Sequence, residues 1–139
     1  MDRDLPIAQL MSTAVHSVQV DQKLSDVRKM LASVPYHHLP VAKGKKLVGM
    51  LSTRDLAIAG LRVRAADPQE VDDYLDRTFT LEEVMSTNPI SVQSDATLYD
   101  ACDILANGDF HALPVVNASQ ELVGIVTSTD VLRYLVSVL

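Results

Sequence analysis

The sequence has no tryptophan, one cysteine, five glycines and an aromatic content of only 4%. The single cysteine, Cys102, excludes an internal disulfide framework and a cysteine-built metal cage, and it suits a reducing cytoplasm. No apolar stretch is long enough for a membrane helix: the run from Val131 to Leu139 is short and contains Arg133 and Tyr134. Met1-Asp2-Arg3-Asp4 lacks the charged-then-apolar start of a secretory signal. Basic residues are not in excess either. Twelve lysines and arginines against eighteen aspartates and glutamates give a net charge of −6, whereas nucleic-acid binding needs a basic face that displaces counterions. Lys43, Lys45 and Lys46 cluster around Gly44, and a hairpin turn with solvated lysines accounts for them. At 139 residues the chain has the size of one compact domain or a tight pair of subdomains.

What is present is a duplication. Met11-Ser12-Thr13 returns as Met85-Ser86-Thr87, and Ser17-Val18-Gln19-x-Asp21 as Ser91-Val92-Gln93-x-Asp95. His37-x-Leu39-Pro40-Val41 returns as His111-x-Leu113-Pro114-Val115. Leu47-Val48-Gly49-x-x-Ser52-x-x-Asp55 returns as Leu122-Val123-Gly124-x-x-Thr127-x-x-Asp130, after one extra residue in the second hairpin loop. Each copy is too short to bury its apolar faces alone, so the two are expected to pack together about a pseudo-twofold axis.

Within a copy the hydrophobic period changes in a fixed order. Extended stretches at 15–20 and 90–93 precede helices, in which Leu24, Val27, Met30, Leu31 and Val34 match Leu98, Ala101, Ile104 and Leu105. Thr97-x-x-Asp100 gives the second helix a capping box, and Asn107-Gly108 predicts a left-handed stop. The Leu-Pro-Val runs then read as strands, each turning into a second apolar strand. A final helix starts near Ser52 or Thr127. The unit is β-α-β-β-α, with a lead-in (6–10 and 81–84) that forms a helical turn. Copy 1 spans 7–61 and copy 2 spans 81–136, with a polar linker at 62–80. Asp67-Pro68 starts a short linker helix whose buried edge is Val71, Tyr74 and Leu75.

The chemistry gathers where the second hairpin strand ends. Both copies read Gly-apolar-apolar-Ser/Thr-x-x-Asp, as Gly49 to Asp55 and Gly124 to Asp130. The glycine admits a ligand or a neighbouring backbone at close range. The hydroxyl and carboxylate flank a helix N-terminus, where free N–H groups favour an anion. An Asp there can accept two hydrogen bonds from a ribose diol. The same residues are also an ordinary capping box, and one hydroxyl can serve both roles.

The order, spacing and repetition of these elements resemble a tandem pair of CBS domains, the arrangement called a Bateman module. The resemblance implies an α/β (α+β) fold of two pseudo-twofold-related β-α-β-β-α repeats packed through their sheets. It also implies adenosine-containing ligands in clefts between the repeats. Carried over to these positions, one cleft takes its ribose carboxylate from Asp130, with Thr127 and Thr129 beside it. Its adenine contacts come from Ser17 to Lys23 and from Tyr36-His37. The other cleft uses Asp55, Ser52 and Arg54 for ribose and phosphate, with a base pocket from Ser91 to Thr97 and from Phe110-His111. Strand backbone reads the adenine edge, while Tyr36, Phe110, Met50 and Ile125 form apolar walls. His111 then lies near the phosphates of the first cleft and His37 near those of the second. Lys23 stands where copy 2 has Thr97, and Val15 where it has Pro89, so the clefts are expected to differ in affinity.

The remaining suspects read as structure. His16, His37, His38 and His111 raise the question of a metal, but the one adjacent pair alternates faces on a strand, and no metal site is expected. Cys102 replaces Arg28 on a helix face as a small packing residue, and Asp103 and Asp109 read as solvated. No nucleophile, base and oxyanion donors come together, so a non-enzymatic protein is expected. The leading reading is a stand-alone cytoplasmic regulatory module with no required cofactor. It would bind AMP, ADP, ATP, NAD or S-adenosylmethionine and act on a regulated protein that the sequence does not name. The alternative is a ligand-independent dimerisation or adaptor module. Apolar residues on more than one face of the final helices (Leu56, Ile58 and Leu61; Val131, Leu132, Leu135, Val136 and Leu139) predict a homodimer. No nucleic-acid or membrane partner is expected.

Overall fold

The computed structural model describes residues 2–34, 37–61, 67–108 and 110–139. After a 3-10 turn at Ile7–Gln9 come β1 (Val18–Gln19), α1 (Leu24–Ala32), β2 (His38–Lys43), β3 (Lys46–Ser52) and α2 (Thr53–Ala59). α3 (Pro68–Thr78), α4 (Leu81–Val84) and β4 (Ser86–Thr87) follow. The second copy supplies β5 (Val92–Gln93), α5 (Leu98–Asn107), β6 (Ala112–Val116), β7 (Leu122–Thr127) and α6 (Ser128–Val138). The fold is mixed α+β with two sheets, ordered β1-β2-β3-β4 and β5-β6-β7. In each sheet the leading strand runs parallel to the first hairpin strand, Val18 opposite Val41 and Val92 opposite Val115.

The chain forms two compact units that do not follow the sequence copies. One, the β2–β3 unit, comprises His16–Gly44 and Val48–Pro89; the other, the β6–β7 unit, comprises Met1–Val15, Lys45–Leu47 and Ile90–Leu139. The lead-ins are exchanged. Leu81 and Met85 belong to the core of Val18, Val27, Leu39, Val41 and Leu51. Ile7, Leu10 and Met11 pack with Val92, Ala101, Leu113, Val115 and Val126. Main-chain pairing shows the same exchange: Gly49 and Met50 pair with Thr87 and Ser86, and Ser12 bridges Ile125.

The glycine of each exit motif makes this pairing feasible. A Cβ on Gly49 would collide with the Met85 sulfur and lie 2.9 Å from the Ser86 carbonyl oxygen. On Gly124 it would collide with the Met11 sulfur and lie 3.1 Å from the Ser12 oxygen. The close neighbour that the sequence leaves open is therefore a backbone in both units.

α3 is held on α1 by charge. Arg28 donates from Nε to Asp72 Oδ1 (2.5 Å) and from Nη2 to Oδ2 (2.8 Å), a two-pronged geometry that suits the planar guanidinium. Asp72 is only 3% exposed, and the hydrogen bonds from Arg28 hold its carboxyl below the usual carboxylate range against the opposing cost of burial. One turn on, Asp76 accepts from the Ser25 amide and hydroxyl. Asp67 caps α3 by accepting from the Gln69 amide, with Pro68 in its first turn, and Leu75 is buried with Val71 and Tyr74 beside it. That matches the edge expected for this helix, which at 11 residues is longer than the short segment anticipated.

Other expectations are corrected. The leading strands contract to two residues each. α1 stops at Ala32, before Val34, because the Ser33 amide and hydroxyl both turn back onto the Met30 carbonyl. Gly108 is not left-handed: its φ is −109°. The Asn107 side chain donates to the Asp103 carbonyl at 2.8 Å, so a terminal carbonyl is satisfied without a left-handed cap. Gly44, by contrast, has φ +63° and the three lysines around it are exposed, as a hairpin turn requires.

Candidate functional site

In the β2–β3 unit the exit motif delivers the chain from β3 into α2 at Ser52. The Ser52 hydroxyl accepts from the Asp55 amide at 3.0 Å, and Asp55 Oδ2 accepts from the Ser52 amide at 2.9 Å. The Thr53 amide donates to the His37 carbonyl at 2.9 Å. The β6–β7 unit repeats the arrangement. Thr127 and Asp130 exchange bonds of 2.8 and 3.1 Å, and the Ser128 amide donates to the His111 carbonyl at 2.9 Å.

Both capping boxes are therefore complete. Each uses one carboxylate oxygen and two of the amides that a helix start leaves without an intrahelical partner. Among the described residues, the box leaves the same groups outside it in each unit: the second oxygen of Asp55 or Asp130, and the amide of Arg54 or Thr129. Asp130 Oδ1 lies 4.0 Å from Arg133 Nη1, an exposed i,i+3 approach that contributes little to stability. Asp55 has Ile58 at that position instead. Arg133 is thus a cation at the Asp130 carboxylate that the exit motif does not signal, while Arg54 is exposed and adjoins Asp55 in sequence.

The other expected residues divide between surface, core and undescribed chain. His37, Arg54, His111, Thr129 and Lys23 are exposed, while Ser17, Ser91, Met50, Ile125 and Phe110 are half-buried. Lys23 occupies the N-cap of α1 without a capping side chain, whereas the Thr97 hydroxyl is engaged with the Asp100 amide. The Phe110 ring covers Gly108 and joins its unit's core. The main-chain groups of Ile125 are occupied by Ser12, at 2.8 and 2.9 Å, so only its side chain is left for a ligand. Tyr36 and Asp109 lie outside the described residues.

Within the β2–β3 unit a groove of about 490 Å³ runs from Asp55 past Ile58 and Ala59 to Tyr74, Phe79 and Val84. Tyr74 and Phe79 meet edge-on at 6.3 Å between ring centres and form its aromatic wall. Cys102 is half-buried, and desolvation raises its thiol pKa, which opposes nucleophilic use. Among the described residues no group of three or more His, Cys, Asp or Glu is gathered as metal ligands. No helix among them is long and apolar enough to cross a membrane.

The chain matches the family model for the CBS domain over residues 7–62 and again over 81–137. A CBS domain-containing protein of Dictyostelium discoideum is 28% identical over 136 residues, covering 96% of this chain and 92% of that protein. An inosine-5'-monophosphate dehydrogenase of Korarchaeum cryptofilum is 29% identical over 84% of this chain, which spans only 21% of the dehydrogenase. Among solved structures, protein MJ1225 of Methanocaldococcus jannaschii superposes with a TM-score of 0.81 at 25% identity, over 97% of this chain and 49% of that one. The CBS-pair protein CBSX2 of Arabidopsis thaliana, solved in complex with AMP, superposes with a TM-score of 0.78 at 25% identity, over 96% and 98%.

Proposed function

The chain belongs to the CBS domain family, and from that premise we propose that it is a stand-alone regulatory module for adenosine-containing ligands. Asp55 and Asp130 each accept a ribose diol through the carboxylate oxygen that the capping box leaves over. The base contacts assigned by the family resemblance, around Ser17–Lys23, His37 and Ser91–Thr97, complete the recognition. The observation that carries this reading is the exit motif, built twice with the same hydrogen bonds, each box leaving the second aspartate oxygen outside it. AMP in the CBSX2 complex supports a nucleoside monophosphate as the first ligand to test. The proposed setting is the cytoplasm, in keeping with a lone, half-buried thiol.

A second copy of the chain is the proposed partner. Leu132 and Val136 on α6 and Leu139 just after it are 58, 73 and 91% exposed, and α6 buries no residue at all. Ile58 and Leu61 are also exposed in the other unit. Apolar exposure on this scale marks an association surface, and we assign it to a twofold homodimer. A monomeric mass by light scattering at micromolar concentration, with and without AMP, contradicts that assignment.

One alternative has a specific observation behind it. Because both capping boxes are satisfied without ligand, the motif also fits an adaptor in which Asp55 and Asp130 only cap helices. A melting panel of AMP, ADP, ATP, NAD and S-adenosylmethionine separates the two. A ligand at a hundred times its Kd adds about 2.7 kcal/mol to stability, whereas the adaptor melts at one temperature throughout.

A further inference from the structure

The groove of the β2–β3 unit is apolar inside and acidic at its edge. Ile58, Tyr74, Phe79 and Val84 form its walls, and its two charged lining groups are both carboxylates, Asp55 and Glu83. Both are fixed in place. Asp55 accepts from the Ser52 amide, and Glu83 Oε1 accepts from the Thr80 amide and hydroxyl, each at 3.0 Å. Those bonds hold the Glu83 carboxyl below its usual range, so it stays ionised. No lysine, arginine or histidine is among the described residues that line the groove.

α6 of the β6–β7 unit presents the opposite surface. Thr129, Leu132, Arg133 and Val136 are all exposed, and their i, i+3, i+4, i+7 spacing puts them on one face of the helix. That face carries one cation and no acid. The Arg133 side chain is 78% exposed and comes no nearer than 4.0 Å to Asp130. A helix that lies in an apolar groove is anchored at positions with this spacing.

We propose that this face of α6 from a second copy of the chain occupies the groove, so that two identical groove–helix contacts close the homodimer. The proposal rests on the homodimer reading above and names the surfaces that meet. Leu132 and Val136 of one copy pack on the aliphatic and aromatic walls of the other, and Arg133 reaches the acidic edge. Charge decides against the two arrangements that pair like with like. Groove on groove brings four carboxylates together, and α6 on α6 brings two arginines together, whereas groove on α6 sets opposite charges face to face. A twofold axis makes the same contact twice, each copy giving one groove and one helix.

The test is the association constant, by sedimentation or light scattering, of Ile58→Lys, of Leu132→Asp and of their equimolar mixture. Ile58 is 56% exposed and Leu132 58%, so neither substitution removes a core residue. Alone, Ile58→Lys sets a lysine against Arg133, and Leu132→Asp sets an aspartate against Asp55 and Glu83. Each lesion occurs twice per dimer and should raise the dimer Kd about tenfold or more. In the mixture one contact is wild type on both sides, and the other pairs the introduced lysine with the introduced aspartate. Mixed dimers should therefore form with a Kd within about threefold of the wild-type value. A mixture no tighter than the separate variants overturns the groove–helix contact, as does a dimer indifferent to both substitutions. Sensitivity to Leu132→Asp alone assigns the interface to α6 on α6, and sensitivity to Ile58→Lys alone to groove on groove. Either result overturns this contact and leaves the homodimer standing. A wild type that is monomeric at micromolar concentration overturns the homodimer reading, and this contact with it.

Discussion

The two units carry the same hairpin and the same exit motif, yet they fasten the preceding helix in different ways. In the β2–β3 unit side chains do it, Asp72 holding Arg28 and Asp76 holding Ser25. In the β6–β7 unit main chain does it, with the Arg3 and Leu5 carbonyls on the amides of Tyr99 and Leu98. The residues that differ between copies are the ones responsible: Cys102 stands at the position of Arg28, and Tyr99 at that of Ser25. The duplication thus keeps the exit motif and lets the anchoring diverge.

The largest expected effect breaks the side-chain anchor. Arg28→Ala leaves the buried Asp72 carboxylate without its half-exposed partner and should cost about 2–3 kcal/mol by chemical denaturation, near the upper end of about 1–3 kcal/mol for an unsatisfied buried polar group. Cys102→Ala, at the matching place, should cost about 1 kcal/mol or less, having only partial burial to lose. The pH dependence sharpens the contrast. With its pKa depressed in the folded state, Asp72 contributes fully above the ordinary carboxylate range near pH 4 and loses that contribution as pH falls through the depressed value. The gap between wild type and Arg28→Ala should narrow in the same acid window; a constant gap would mean the pair is not the anchor.

Next come the glycines. Ala at Gly49 or Gly124 forces the exchanged lead-in away from its strand, at about 1–3 kcal/mol each. Gly49→Ala should be the worse, because its Cβ would come closer to a backbone oxygen that cannot rotate aside. Equal stability of either variant and wild type, measured in urea, would show that the lead-in pairing is dispensable.

This exchange was beyond the reach of the repeat pattern. Sequence places Met85-Ser86-Thr87 at the head of copy 2, and periodicity reports which residues face a core but not whose core it is. Gly49 and Gly124 signalled a close approach without naming the neighbour. The elements themselves were legible from capping boxes at Ser52, Thr97 and Thr127, from Asp67-Pro68, and from the two Leu-Pro-Val strands. Arg28–Asp72 was not, because the partners are 44 residues apart and only the burial of Asp72 distinguishes them from solvated charges. At the site, the Ser-x-x-Asp and Thr-x-x-Asp geometry was readable to the hydrogen bond. Arg133 lies beyond the motif and its counterpart, Ile58, is apolar, so the repeat carries no sign of it.

A smaller effect concerns phosphate. Arg54 adjoins Asp55 in sequence, whereas Arg133 sits one turn beyond Asp130 and is drawn toward its carboxylate. Arg54→Ala should therefore weaken ATP or ADP more than adenosine, with a loss that shrinks as salt rises, and Arg133→Ala should do so less. Equal losses for adenosine and ATP in calorimetric titrations would remove Arg54 from the phosphate.

The central claim is that Asp55 and Asp130 hold a ribose diol, and calorimetric titration of the wild type with AMP and 2′-deoxy-AMP tests it most directly. Removing one hydroxyl from a charged acceptor should cost about 1.5–3 kcal/mol, roughly a tenfold or greater fall in affinity. Ribo and deoxy nucleotides binding with the same Kd would contradict the assignment and leave both carboxylates as helix caps alone.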